Sequence, residues 1–142
     1  MSRIQLFGWI YALLFFGVVA IDFVPGLKNA NGELFGLFYL EPKDHILHGA
    51  SAIWAALAAW RSTRATLYYF RIFGVIYALD GLLGLATGQG YLDGGIILNE
   101  LFQIDLMTRI ATNLPHILIG GVAVWIGYIY SRRAEVARAS AT

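Results

Sequence analysis

Residues 45–54 read HILHGASAIW, and residues 116–125 read HILIGGVAVW. Six of these ten positions are identical, from the opening histidine to the closing tryptophan. A second match joins FGWIYAL at residues 7–13 to FGVIYAL at residues 73–79. Each half of the chain contains one apolar, helix-length segment followed by a second segment that opens with histidine. The two matches therefore predict a tandem duplication of a two-helix unit.

The composition indicates a membrane protein. Hydrophobic residues make up 58% of the chain and charged residues only 13%, whereas about a quarter of the residues in a soluble domain are charged. The 142 residues fit one domain, residues 1–142. The absence of cysteine from the sequence excludes disulfides, thiolate metal sites and cysteine nucleophiles. Neither a phosphate-binding glycine loop nor a nucleic-acid-binding pattern is present.

Four segments have a length and polarity typical of membrane-spanning helices. They comprise residues 4–24, 44–60, 67–86 and 113–130. We therefore predict an all-α fold, a four-helix transmembrane bundle built from two tandem parallel two-helix repeats. The first repeat covers residues 1–64, the second covers 65–131, and residues 132–142 form a basic tail.

The distribution of positive charge predicts the orientation of the bundle. Most of the arginines belong to the N-terminus, to the turn at residues 61–64 or to the tail. Cytoplasmic loops carry an excess of lysine and arginine, so both termini are expected inside a bacterial inner membrane. The aromatic residues expected at the inner membrane interface are Trp9, Trp60, Tyr68, Tyr69, Tyr128 and Tyr130. Loop segments 33–41 and 96–110 are candidates for interfacial helices.

Small residues recur at a spacing of three and four on both histidine-opened helices, which places them on one helix face. They are Gly49, Ala52 and Ala56 in the second span, and Gly120, Ala123 and Gly127 in the fourth. Small residues let membrane helices approach closely. We therefore expect the second and fourth spans to pack on each other through these faces.

Polar residues within membrane spans are candidates for functional sites because they are expensive to bury. Asp80 lies about six residues from the outer end of the third span, roughly 9 Å deep at the helical rise. We expect it to pair with His48 or His116. Asp22 lies nearer the outer surface, where it is expected to meet His45 or Lys43.

The histidines allow two ligand hypotheses beside a purely hydrogen-bonded role. One histidine from each repeat, His45 and His116, could ligate a haem between the repeats. Alternatively, His45, His48 and His116 could hold a divalent metal with Asp44 or Glu100. The sequence requires neither cofactor, and no catalytic constellation is recognisable.

The start of the fourth span also carries a resemblance. Asn113-Leu114-Pro115-His116-Ile117-Leu118-Ile119-Gly120 is similar to the Asn-x-x-His-Leu-Leu-Leu-Gly helix start of a family of small four-span bacterial membrane proteins of unknown function. In that family a short loop helix precedes such a start, and GELFGLF in the first outer loop resembles it. The first repeat departs from the pattern, because Pro42 replaces the asparagine when His45 is aligned. The resemblance implies a four-span fold and no particular activity.

These observations favour a non-enzymatic accessory or scaffold protein. Its partners would be the lipid bilayer and either further copies of itself or a larger membrane complex, with no nucleic acid. Two alternatives remain. One is an electron-transfer protein with haem on His45 and His116. The other is a component of a proton or metal-ion path that uses Asp80 and His48.

Overall fold

A computed structural model describes residues 1–36, 39–92, 94–98 and 105–133. Within these ranges the regular secondary structure is helical, apart from one isolated β-bridge between Lys28 and Leu34. The helices are α1 (Arg3–Ile21), α2 (Pro42–Arg61), α3 (Thr63–Thr87), α4 (Gly95–Leu98), α5 (Leu106–Val124) and a π-helix (Trp125–Tyr130). Three helical segments are long and apolar enough to cross a membrane, namely α1, α3 and Leu106–Arg133.

The helix ends follow capping rules that are legible in the sequence. Ser62 has an extended backbone, which ends α2, and its hydroxyl accepts the Ala65 N–H at the start of α3. Gly88 ends α3 in the left-handed conformation, with φ of 87°, which glycine adopts without a steric penalty. Asp105 caps α5 by accepting the N–H groups of Met107 and Thr108. One residue between α2 and α3 forces these two helices into a tight antiparallel hairpin.

The two loops that we expected on the outer side differ from the interfacial helices that we considered for them. Residues 33–36 and 39–41 are not helical, and residues 37 and 38 lie outside the described residues. In the second loop, only residues 95–98 form a short helix, and residues 99–104 lie outside the described part. Residues 106–110 already belong to α5, which Asp105 caps. This helix begins at Leu106, seven residues before residue 113, where we expected the fourth span to begin.

Helix α3 is central to the bundle. The main helix interfaces pair α1 with α2 and α3 with α5, and α3 also packs against α2 and α1. Three rings at helical spacing on α3 form a stack: Tyr69 and Phe73 lie 5.0 Å apart between centroids, and Phe73 and Tyr77 lie 4.8 Å apart. Phe15 of α1 meets Tyr77 edge-on at 5.5 Å. This aromatic stack of α3 fills the core.

The predicted packing of the second span on the fourth is wrong. Gly120 of α5 lies against Ala78 of α3, because a Cβ at Gly120 would come within 2.7 Å of the Ala78 Cα. A Cβ at Gly74 of α3 would likewise lie 2.9 Å from the Ala123 Cβ. A Cβ at Gly49 of α2, by contrast, would meet no described atom within 4 Å. The small face of α5 therefore packs against α3, whose aromatic stack occupies the core beside α2.

The remaining small residues are also divided between different neighbours. Ala52 is buried and Ala56 is half-buried, and both contribute to the core. The closest approach of α1 to α2 involves Gly8, where an added Cβ would lie 2.9 Å from the Ala59 Cβ. Gly127 faces α3, where an added Cβ would lie 3.0 Å from the Cγ of Arg71.

Candidate functional site

Asp80 of α3 is bonded to α5 and to the loop that follows α3. Its Oδ2 lies 2.8 Å from Nδ1 of His116, and its Oδ1 accepts the N–H groups of Tyr91 and Leu92 at 2.7 and 2.9 Å. The side chain is almost fully buried. Of the two partners expected for Asp80, the structure brings His116 to the carboxylate. Because the carboxylate oxygen accepts the hydrogen bond from Nδ1, the neutral imidazole of His116 carries its proton on Nδ1 and its lone pair on Nε2.

His48 of α2 lies near His116. Its Nδ1 is 2.7 Å from the main-chain oxygen of Asp44, which can only accept, so Nδ1 carries the proton. Its Nε2 is therefore an acceptor in the neutral ring, and the hydroxyl of Tyr77 lies 3.4 Å from it in donating position. These contacts fix the tautomer of His48 from both sides.

Tyr77 joins the two histidines. Its ring stacks on His116 with centroids 4.4 Å apart, while His48 and His116 lie 6.5 Å apart between centroids. Asp80, His116, Tyr77 and His48 thus form one group, which we call the His–Asp cluster. Hydrogen bonds hold each end of this cluster, and a stacked ring contact joins its middle. Such a cluster can take up and pass a proton locally, or it can fix three helices in one register.

A second histidine–aspartate pair lies at the end of α1. Oδ2 of Asp22 is 2.8 Å from both His45 Nε2 and Lys28 Nζ, while its buried Oδ1 has no hydrogen-bond partner among the described residues. Burial raises the pKa of the Asp22 carboxyl, but the hydrogen bonds and charges of Lys28 and His45 outweigh it and hold the pKa below its ordinary value. Of the two predicted partners, Asp22 meets His45, and Lys43 instead lies 2.9 Å from Glu41.

The two pairs use matching histidines but non-matching aspartates. His45 and His116 occupy the same position in the sequence match, whereas the residue that matches Asp22 is Gly88, eight residues beyond Asp80. Eight residues are about two helical turns, or roughly 12 Å. The histidine-opened helix therefore lies about two turns further along its partner in one helix pair than in the other.

The ligand hypotheses meet different obstacles. Nε2 of His45, the usual atom for an axial haem bond, is already bonded to Asp22. Within the described residues, no group of three or more His, Cys, Asp or Glu side chains is placed to hold a metal ion. His45, His48 and His116 therefore do not form the predicted metal site there. Asp44 contributes its main-chain oxygen to His48, and Glu100 lies outside the described residues.

Sequence reasoning missed Tyr77 and the loop N–H groups that bind Asp80. Tyr77 had a recognisable pattern, because Tyr69, Phe73 and Tyr77 are spaced four residues apart and share one face of a helix. Tyr69 was expected at the membrane interface, but it is fully buried and its ring lies 5.0 Å from that of Trp54. The loop donors had no pattern, because any residue can supply a backbone N–H.

Comparisons with protein-family models, curated proteins and solved structures find no match to this chain.

Proposed function

We propose that this chain is a small, non-enzymatic, multi-pass protein of the bacterial inner membrane that acts as an accessory or scaffold subunit. It would pack with further copies of itself or with a larger membrane complex. The proposal includes α2 as a fourth span, two tandem repeats at residues 1–64 and 65–131, and both termini in the cytoplasm. The resemblance to small four-span membrane proteins of unknown function is consistent with this assignment.

The exposed face of α2 is the observation that carries the proposal. Its apolar residues follow the four-and-three spacing of a helix-packing seam. They are Ile46, Ala50, Ile53, Leu57 and Trp60, all of which are exposed. Gly49 lies beside this face, and a Cβ added there would meet no described atom within 4 Å. A helix from another chain can therefore approach the α2 backbone closely at this position.

The polar side of α2 supports inclusion of this helix in the bundle. His48 and Ser51 are buried against the protein, and the 20 residues of α2 have about the length needed to cross the hydrocarbon core. His48 and Ser51 on the buried side, together with the charged residues at the two ends of α2, lower its mean hydropathy below that of the other long helices. The lipid or partner helix would meet only the apolar side.

Single-cysteine cross-linking tests the proposed seam, because the chain contains no natural cysteine. In native membranes, Ile53→Cys should form a disulfide-linked dimer of this chain after mild oxidation, or, when its thiol is labelled with a photoactivatable cross-linker, a covalent adduct with a larger subunit. Leu13→Cys on α1 is the matched control, since Leu13 is equally exposed, at 69% against 63% for Ile53, but lies outside the seam. Equal cross-linking at both positions, or none at Ile53→Cys, would remove the basis for the scaffold assignment.

A second candidate, a proton path, is favoured by the His–Asp cluster alone. Asp80 and His116 can exchange a proton across 2.8 Å, and His48 lies beside them with its tautomer fixed. Toward the expected cytoplasmic side, the aromatic stack of Phe73 and Tyr69 continues from Tyr77, and the described residues of this stack include no further carboxylate or imidazole. The cluster would therefore be the outer portion of a path that another subunit completes.

Proton flux in native membrane vesicles tests the second candidate. Asp80→Asn should reduce flux at least tenfold if the cluster carries protons, whereas Asp105→Asn, an exposed helix cap, should leave it unchanged. Unaltered flux in a folded Asp80→Asn protein would rule out the path and leave the cluster a structural role.

A further inference from the structure

A surface groove of about 400 Å³ lies along the first turns of α3, at the opposite end of this helix from Asp80. The residues that line it are Thr63, Arg64, Leu67, Tyr68 and Arg71. Two of them are arginines, two carry hydroxyl groups, and none of these described lining residues is a carboxylate. Its chemistry is therefore that of an anion site and differs from the His–Asp cluster.

Arg71 is held in place by the π-helix. Its Nε donates to the main-chain oxygen of Gly127 at 2.8 Å, and its guanidinium carbon lies 5.5 Å from the centroid of the Tyr128 ring. The two helices approach closely here, since a Cβ at Gly127 would lie 3.1 Å from the Arg71 backbone nitrogen. The two terminal nitrogens of Arg71 have no hydrogen-bond acceptor among the described residues. The guanidinium group is thus oriented while its terminal donors remain available.

Arg64 supplies a second guanidinium group on the same helix face. It lies two helical turns before Arg71, and residues seven apart share a face. Its Nη2 is 3.3 Å from the hydroxyl of Tyr68, and its guanidinium carbon lies 5.7 Å from the centroid of that ring. In the described part of the chain, neither arginine forms an ion pair with a carboxylate. Two positive charges therefore face one groove without an internal counter-charge.

The predicted span places this groove at the membrane boundary. Helix α3 has 25 residues, about 20 suffice to cross the hydrocarbon core, and the predicted third span begins only at residue 67. Thr63 and Arg64 therefore extend into the headgroup region, and Arg71 lies about one turn inside the hydrocarbon edge. A charged guanidinium group at that depth requires an anionic partner or contact with water.

We propose that the groove binds a phosphate group between Arg64 and Arg71, and that the headgroup of an anionic phospholipid supplies it. Guanidinium groups donate paired hydrogen bonds to phosphate oxygens, and the hydroxyl groups of Thr63 and Tyr68 add neutral donors. Leu67 gives the groove an apolar side along which an acyl chain can start. This proposal rests on the membrane-spanning part of the proposed function, not on the α2 seam.

Lipid titration of the purified full-length protein in mild detergent tests the site. Phosphatidylglycerol should raise the melting temperature in a saturable way by roughly 5 °C, whereas phosphatidylcholine should not. The apparent affinity for phosphatidylglycerol should fall about tenfold in Arg64→Gln and further in the double variant with Arg71→Gln. Arg61→Gln changes the last residue of α2, which does not line the groove, and should retain the wild-type affinity.

Each alternative result contradicts a definite part of the proposal. Equal stabilisation by phosphatidylcholine would remove the anion site, and equal loss in Arg61→Gln would indicate unspecific charge attraction. Inorganic phosphate that protects as well as phosphatidylglycerol would overturn the lipid as the source. If Arg71→Gln fails to fold, Arg64→Gln decides alone, because Arg64 is exposed and its described side-chain contacts are with Tyr68. The cross-linking of Ile53→Cys does not depend on these arginines, so the two proposals fail independently.

Discussion

Oδ2 of Asp80 lies 2.8 Å from Nδ1 of His116 and joins the middle of the bundle to its last long helix. The other oxygen of the same carboxylate closes the loop after α3 through two backbone N–H groups. One buried side chain thereby fixes the register of α3 against α5 and the path of the following loop. Its removal should affect both at once.

Replacement of Asp80 by Ala should destabilise the protein by about 3 kcal/mol or more, because it leaves a buried imidazole and two loop N–H groups without their acceptor. Thermal unfolding in detergent measures the loss. His116→Ala in the Asp80→Ala background should cost much less than His116→Ala alone, since the pair is already broken. Fully additive losses would contradict the coupling.

Gly120 and Gly121 should respond oppositely to alanine. Gly120→Ala forces a Cβ against the Ala78 backbone and should destabilise the protein by about 1–3 kcal/mol. Gly121→Ala meets no described atom within 4 Å and should be neutral, or stabilising by up to about 1 kcal/mol through helix propensity. In the isolated monomer, Gly49→Ala should behave like Gly121→Ala although Gly49 matches Gly120 in sequence. Melting temperatures of the three variants check the order.

Tyr11 and Tyr69 form a second matched comparison. The hydroxyl of Tyr11 donates to the main-chain oxygen of Ile119 at 2.8 Å, whereas the buried hydroxyl of Tyr69 has no partner among the described residues. Tyr11→Phe should therefore cost about 1 kcal/mol, and Tyr69→Phe should be neutral or slightly stabilising. Chemical or thermal unfolding of the two variants measures the difference. A larger loss in Tyr69→Phe would reveal a partner for that hydroxyl.

The Asp22 pair predicts a loss of stability in acid. The folded pKa of Asp22 lies below its ordinary value of 3.8, so the ionised carboxylate stabilises the folded state at higher pH. That contribution is lost as the pH falls below 3.8 and through the folded pKa. The wild type should be more stable than Asp22→Asn at pH 5, and the difference should shrink toward pH 2. A difference that is constant with pH would exclude ionisation as the cause.

Much of the fold was predictable because it depends on local rules. Apolar length predicted four spans, and three described helical segments are long and apolar enough to cross a membrane. Ser62 and Gly88 mark ends of helices in the way that capping chemistry requires. The polar positions were also recognisable, because Asp80 stands alone in an apolar helix. The start of α5 was placed too late because residues 96–110, which include the capping Asp105, were assigned to a separate interfacial helix.

The sequence by itself determined which segments are helical, which residues are small and which polar groups must find partners. Only the tertiary structure decided the partners, since the two matched helix pairs differ in register by about two turns. That shift gives His45 and His116 non-matching aspartates. Gly49 and Gly120 also match in sequence, but Gly120 packs against Ala78 of α3, whereas a Cβ at Gly49 would meet no described atom within 4 Å. The aromatic stack of Tyr69, Phe73 and Tyr77 fills the core of the bundle. Its four-residue spacing is visible in the sequence, but the periodicity of one helix does not specify which neighbouring helix packs against it, or in which register.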